Sequence, residues 1–309
     1  MKGSYMKLIA PNYYEDFSCI ADKCKHSCCI GWEIDIDEET LRDYRSVGGD
    51  FGERLRAGIE IGENGACFRL GEGERCPFLN ERGLCDIILN LGEDRLSQIC
   101  TDHPRFCTFW SDRTEIGLGL CCEEAGRLIL SKKGKTKLVA LQDDGEYGDL
   151  TEEEESFLCE RERIFAIAQD RSQRISARIR ALCEAFRMDI PQRSFAEWVE
   201  FLRTMEIMDG AWDRLLSEAK ETPIADDWET AWEQLLWYFI YRHVSDPERD
   251  IRKGIFFSVF SLYMIRGLFA YLCARGENAD TETLVELCRL YSSEIEYFEE
   301  NTERIMDLV

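Results

Sequence analysis

Eleven of the fifteen cysteines fall within the first 122 residues, at positions 19, 24, 28, 29, 67, 76, 85, 100, 107, 121 and 122. The other four, Cys159, Cys183, Cys273 and Cys288, stand singly in helical apolar patterns and read as small buried hydrophobes. The opening residues lack an uninterrupted apolar stretch of the secretory kind, and no run of 18 or more apolar residues occurs. The expectation is therefore a cytoplasmic chain with no membrane-spanning helix. In a reducing compartment clustered thiols serve as metal ligands more readily than as disulfides.

The chain has 309 residues and is 45% hydrophobic, enough to build a core. Its 61 acidic residues against 38 basic give a net charge of -23, which excludes phosphate-backbone binding as the main activity. Acidic runs such as Glu152–Glu155 and Asp143-Asp144 read as solvated faces that favour a basic partner.

The pattern predicts a mainly α protein in three stretches. Residues 1–130 form a loop-rich, metal-stapled cysteine-cluster domain with few short strands, residues 131–150 a polar, Gly-bearing linker or loop, and residues 151–309 an all-α bundle. In the first stretch, residues 30–37 alternate as a half-buried strand does, Asp37 caps a short helix, and two more short helices follow near residues 92–100 and 123–131. In the last, Thr151 with Glu154 and Ser194 with Glu197 are capping boxes, Asp246-Pro247 opens a helix that Gly276 stops, and Leu284, Leu287, Cys288, Tyr291, Ile295 and Phe298 mark one helix face. Trp228, Trp232 and Trp237, with His243 on the same aromatic helix, read as core.

Three pieces carry the chemical signal. The first holds Cys19, Cys24, Cys28 and Cys29; the second Cys76 and Cys85; the third Cys100, His103 and Arg105, followed by Cys121 and Cys122. Thiolates suit a tetrahedral zinc or an iron–sulfur site, and Lys23, Lys25, His26 and Arg105 would stabilise their charge. Cys28 and Cys29 are adjacent, and neighbours in an extended segment point opposite ways, so both reach one ion only where the backbone turns sharply.

These motifs, FSCIADKCKHSCCIGWEIDID, CPFLNERGLCDI, LGEDRLSQICTDHPRF and CCEEAGRL, resemble the flagellin lysine-N-methylase family, and the first also resembles the broader zinc- or iron-chelating cysteine-cluster domain. The resemblance covers residues 13–130. It implies metal ligands at Cys19, Cys24, Cys28, Cys29, Cys76, Cys85, Cys100 and Cys122, with an iron–sulfur cluster (4Fe-4S, zinc as the alternative). It also implies methyl transfer from S-adenosylmethionine to lysine amines of flagellin or a similar protein with exposed lysines. The family carries Ser-Cys-Pro-Glu-Ala where this chain has Cys121-Cys122-Glu123-Glu124-Ala125, so the doublet offers two candidates for the last ligand.

The residues themselves disclose no methyl-donor site. Gly117–Leu120 is the one candidate nucleotide turn, and it runs into two cysteines instead of a helix-opening glycine. Catalytic and donor-binding residues stay unassigned. Two function classes fit: a lysine methylase holding an iron–sulfur cluster, or a non-catalytic zinc- or iron–sulfur-stapled docking module.

Overall fold

The computed structural model describes residues 7–62, 65–143, 145, 147–188, 191–224 and 226–309. Its strands are β1 (Lys7–Pro11), β2 (Asp35–Ile36), β3 (Ile59–Gly62), β4 (Gly65–Phe68), β5 (Arg105–Phe109), β6 (Thr114–Leu118) and β7 (Leu138–Asp143). Helices outnumber them, and the protein is mainly α. The chain separates into two compact units, one of Ser18–Arg105 and one of Met1–Phe17 with Phe106–Val309. This division differs from the expected boundary near residue 130, because β1 and the strands after residue 105 share one sheet.

That sheet has the order β5-β6-β1-β7. β1 runs parallel to β6, with Leu8 opposite Thr114, and antiparallel to β7, with Pro11 opposite Leu138. The expected linker at residues 131–150 therefore contains an edge strand, β7, in which four apolar residues are followed by Gln142 and Asp143 and whose pairing with β1 holds it in the sheet. Of the acidic pair, Asp143 lies on β7 and Asp144 lies outside the described residues.

Thirteen α-helices are described. Four belong to the smaller unit: α1 (Glu38–Ser46), α2 (Gly49–Ala57), α3 (Asp86–Leu91) and α4 (Gln98–Asp102). The larger unit holds α5 (Glu123–Ser131), α6 (Glu152–Ala168), α7 (Ile175–Ala185), α8 (Phe195–Leu202), α9 (Gly210–Glu218), α10 (Glu229–His243), α11 (Ile251–Ala274), α12 (Thr281–Tyr291) and α13 (Glu299–Met306). Both predicted capping boxes are present, at Thr151/Glu154 and Ser194/Glu197.

Every residue from Ala231 to Tyr241 is buried, including Glu233 and Gln234, so α10 is enclosed all round and forms the centre of the larger core. Trp232 and Trp237 are enclosed there as expected. α11 lies against it. By length and composition α11 is apolar enough to cross a membrane, which a search for unbroken apolar runs overlooks because Arg266 interrupts it. Its most apolar window is 72% buried within the fold, as a core helix is. α11 opens at Asp250, which accepts from the Arg252 N–H at 3.0 Å, and not at Asp246-Pro247. It ends as expected at Gly276, whose φ of 111° lets its own N–H and that of Glu277 return to Cys273 and Leu272 carbonyls.

The α10–α11 approach depends on Gly254. A Cβ there would lie 2.4 Å from the carbonyl oxygen of His243, a backbone atom that cannot swing aside. Gly254→Ala is expected to destabilise the protein by about 1–3 kcal/mol in urea unfolding. Gly134→Ala, where a Cβ would meet nothing within 4 Å, is expected to leave the midpoint unchanged.

The smaller unit has a three-stranded sheet, β2-β4-β3, and a slight core. Strand β2 is only two residues long, shorter than the predicted 30–37. Ten residues are buried in that core, among them Tyr44, Phe68, Cys76 and Phe78. A core that small leaves a unit of this length short of stabilisation, a deficit that metal ligation commonly offsets.

Candidate functional site

The thiols of the smaller unit are gathered by backbone pairing. Ile30 N–H bonds to Ser27 O at 3.2 Å, closing a turn with Cys28 and Cys29 at its centre. The sharp turn removes the expected opposition of their side chains, and the two thiols hydrogen-bond each other. Next, Ile30 bridges Arg75, and Cys76 N–H donates to Cys29 O at 2.9 Å. Cys85 is brought back by a loop in which Asn80 Oδ1 accepts from the N–H groups of Arg82 and Leu84, and by the Leu79–Cys85 bridge. Asp37 then positions Cys100: it accepts from Thr40 N–H at the start of α1 and from Gln98 N–H at the start of α4, both at 2.9 Å. Burial opposes ionisation of Asp37, but those N–H donors outweigh it and hold the carboxyl below its ordinary range.

Cys29 is the hub. Its charge is felt at Cys28, Cys76, Cys85 and Cys100, and Cys19 and Cys100 are felt at Cys28. The hydrogen bond from Cys28 lowers Cys29, aided by Ser27 and the Arg75 guanidinium, while the same bond raises Cys28. Burial pushes Cys76 up to about 12 and Cys100 up to about 11. One thiol in the group is thus poised to ionise, while Cys28, Cys76, Cys85 and Cys100 are held toward the neutral form.

Of the eight expected ligands, Cys19, Cys28, Cys29, Cys76, Cys85 and Cys100 share this neighbourhood. Cys24 donates to His26 O at 3.0 Å. Cys122 belongs to the larger unit, at the N-cap of α5. Cys67 pairs across the small sheet and contacts Glu60 at 3.7 Å. Among the described residues no three His, Cys, Asp or Glu side chains converge as a preformed ion site. The donor set nevertheless fits a thiophilic group in its chemistry: several soft sulfurs, one of them readily ionised, beside Arg75.

His103, between Cys100 and β5, is driven down to about 4, first by burial and then by Arg105. An unfolded chain titrates this ring near 6.5. Its contribution to stability is therefore complete above about 6.5 and is lost as the pH falls toward 4. The thermal midpoint of the wild type is expected to fall more steeply over that interval than that of His103→Gln.

A second polar cluster, which the sequence reading missed, lies in the larger unit. The expected single helix through Phe298 is interrupted after α12 by a π-helical turn at Ser292–Glu296. This turn aims Glu296 into the core, where His243 Nε2 lies 2.7 Å from its carboxylate and Tyr238 Oη 3.1 Å. Arg242 donates to Tyr238 Oη at 2.9 Å, with its guanidinium between the rings of Phe106 and Tyr297. Leu120 N–H also donates to Tyr238 Oη, at 3.2 Å, tying the cluster to the turn after β6. Burial opposes ionisation of Glu296, but Arg242 and His243 prevail and hold it as a carboxylate. Burial also pushes Cys121 up to about 12, so it stands as a neutral thiol beside Tyr297. The sequence clue was Tyr238, Arg242 and His243 at the end of a helix rich in aromatic residues. The reading of His243 as core matches its burial without disclosing its partner.

A thiol-gathering unit and a mostly helical unit with a buried ionic cluster, joined in one chain, define a class of cysteine-cluster helical proteins. Comparison with known proteins narrows the class. The sequence profile of the FliB lysine N-methylase C-terminal domain matches residues 179–309, the helical half in which no signature was apparent. The chain is 30% identical over 130 residues to the Lysine-N-methylases of Salmonella choleraesuis (strain SC-B67) and Salmonella typhimurium (strain LT2), covering 39% of this chain and 32% of each of those proteins. It is equally similar to Flagellar biosynthetic protein FliU of Salmonella muenchen, again over 39% of this chain but 75% of that protein. The chain belongs to the FliB lysine N-methylase family. The match thus spans about a third of the length of the two Lysine-N-methylases. No solved structure matches it.

Proposed function

We propose that this protein transfers methyl groups from S-adenosylmethionine to lysine side-chain amines of a protein such as flagellin, and that the Ser18–Arg105 unit holds an iron–sulfur cluster on its thiols. Family membership and the names of the relatives support lysine methylation. The single observation that supports the cluster is that backbone pairing brings the loops of Cys28, Cys29, Cys76, Cys85 and Cys100 into one neighbourhood, in which Cys29 acts on the other four. A four-iron, four-sulfur cluster is the preferred occupant, because it takes about four thiolates and the neighbourhood exceeds that number.

S-Adenosylmethionine supplies an electrophilic methyl on sulfur. The lysine nitrogen must reach it neutral, although its amine ordinarily titrates near about 10.4. The new N–C bond forms as the S–C bond breaks, S-adenosylhomocysteine leaves, and the nitrogen's extra proton passes to solvent or a nearby acceptor. The net charge of -23 assists encounter with a lysine-rich surface. Methylation by such a displacement is expected to rise with pH between about 7 and 9.

The test is to incubate anaerobically purified, metal-replete protein with S-adenosylmethionine and flagellin, then map modified lysines by mass spectrometry. Methylated lysine supports the reading. A brown protein that methylates nothing across that pH range, with and without reductant, would transfer the assignment to a metal-stapled docking module, and colourless protein with bound zinc would change the metal.

A further inference from the structure

Cys28 and Cys29 form a sulfur pair with a chemistry of its own. Four hydrogen bonds pin the backbone of the doublet. Ile30 N–H bonds to Ser27 O at 3.2 Å, Cys29 N–H to Ser27 Oγ at 3.3 Å, Cys76 N–H to Cys29 O at 2.9 Å, and Trp32 Nε1–H to Cys28 O. Held in this turn, the two thiols hydrogen-bond each other. The sulfurs of Cys76 and Cys85 are engaged elsewhere, by the N–H groups of Phe78 and of Ile87 and Ile88. Cys28 is exposed and Cys29 half-buried, so a small oxidant reaches the pair.

Adjacent α-carbons across a trans peptide stand about 3.8 Å apart, closer than the roughly 4.4–6.8 Å that an ordinary disulfide spans. A disulfide within the doublet is therefore strained, and strained or exposed disulfides are the easily reduced, regulatory kind. We infer that Cys28 and Cys29 are a reversible redox switch: oxidation joins them in a disulfide, withdraws both sulfurs from the thiol neighbourhood and closes it to metal. The closing of the site rests on the reading of that neighbourhood as a metal centre. Hydrogen peroxide is the oxidant. One sulfur attacks it, the O–O bond breaks, a sulfenic acid forms, and the first water leaves with the thiol's proton. The other sulfur then displaces the sulfenic oxygen, the S–S bond forms, and the second water leaves. The two sulfurs together lose two electrons, which the peroxide oxygens gain.

The test is to strip the full chain of metal by chelation, reduce it, treat it with hydrogen peroxide, and alkylate free thiols before tryptic digestion. Cleavage after Lys25 and Arg42 releases residues 26–42, a peptide whose only cysteines are Cys28 and Cys29. That peptide is expected unalkylated and lighter by two hydrogens, and glutathione should restore it. The oxidised protein is expected to take up about tenfold less iron, supplied with sulfide, than the reduced protein. A peptide alkylated on both cysteines, or cross-linked to another cysteine-bearing peptide, would overturn the switch. Equal iron uptake by oxidised and reduced protein would overturn it too. Failure of the metal reading looks different: the disulfide forms within the peptide, yet the reduced protein takes up no iron. That result overturns the closing of the site and keeps the disulfide.

Discussion

Serine at Cys29 is expected to strip the metal from the purified protein, whereas alanine at Cys183 leaves the metal content of the wild type. Cys29 is the thiol whose charge reaches Cys28, Cys76, Cys85 and Cys100, and its backbone carbonyl holds Cys76 in place. Serine at Cys19, Cys28, Cys76, Cys85 and Cys100 should divide into variants that lose metal and variants that keep it, because one tetrahedral ion or cubane uses about four protein ligands. Elemental analysis of each variant decides this. Complete retention in all of them would remove the thiol cluster as a metal centre. Metal removal should also unfold the smaller unit. With ten buried core residues it has little else to hold it, and structural metal binding is commonly worth on the order of 10 kcal/mol. Limited proteolysis after chelation should cut within residues 18–105 before it cuts α10 or α11. Equal protection of both units with and without chelator would contradict the stapling role.

Glu296→Ala is expected to be the most damaging substitution in the larger unit. Removing one partner of a buried ion pair costs about 3–5 kcal/mol, and here Arg242, His243 and Tyr238 all lose their acceptor. The thermal midpoint should fall by roughly 10 °C, given about 2–4 °C per kcal/mol for units of this size. Circular dichroism melts of wild type, Glu296→Ala and Glu296→Gln provide the measurement. The glutamine variant preserves shape and one acceptor oxygen and should fall between the others. An alanine variant that melts with the wild type would mean that the cluster is not sealed from water.

Local signals were legible in the sequence and remote ones were not. The capping boxes at Thr151 and Ser194, the Asp37 cap and the Gly276 stop each depend on residues within a few positions, and each is formed. Strand β7 escaped because its partner β1 lies more than a hundred residues upstream, and no local pattern announces that pairing. The Cys28–Cys29 turn escaped because adjacency was weighed against an extended backbone. Glu296 escaped for a further reason. Its neighbours come from α10, 53 residues away along the chain, and a π-helical turn rotates it from an expected helix face into the core. The six gathered thiols were legible as types and spacings, while their common hub at Cys29 emerged only from the pairing of two loops.

The pairing of β1 with β6 and β7 also fixes an order of events at the ribosome. β1 is made before both of its partners, and Leu8 cannot meet Thr114 until the whole Ser18–Arg105 unit has been made, while Pro11 waits longer for Leu138. Contacts this distant in sequence form late and slowly, whereas the cysteine unit is contiguous and folds from its own residues. Translation therefore presents the thiols as a finished segment while the first strand is still unpaired. The edge of β1 therefore stays unpaired while the thiol-bearing unit is made, and the sheet closes only after β6 and β7 have emerged.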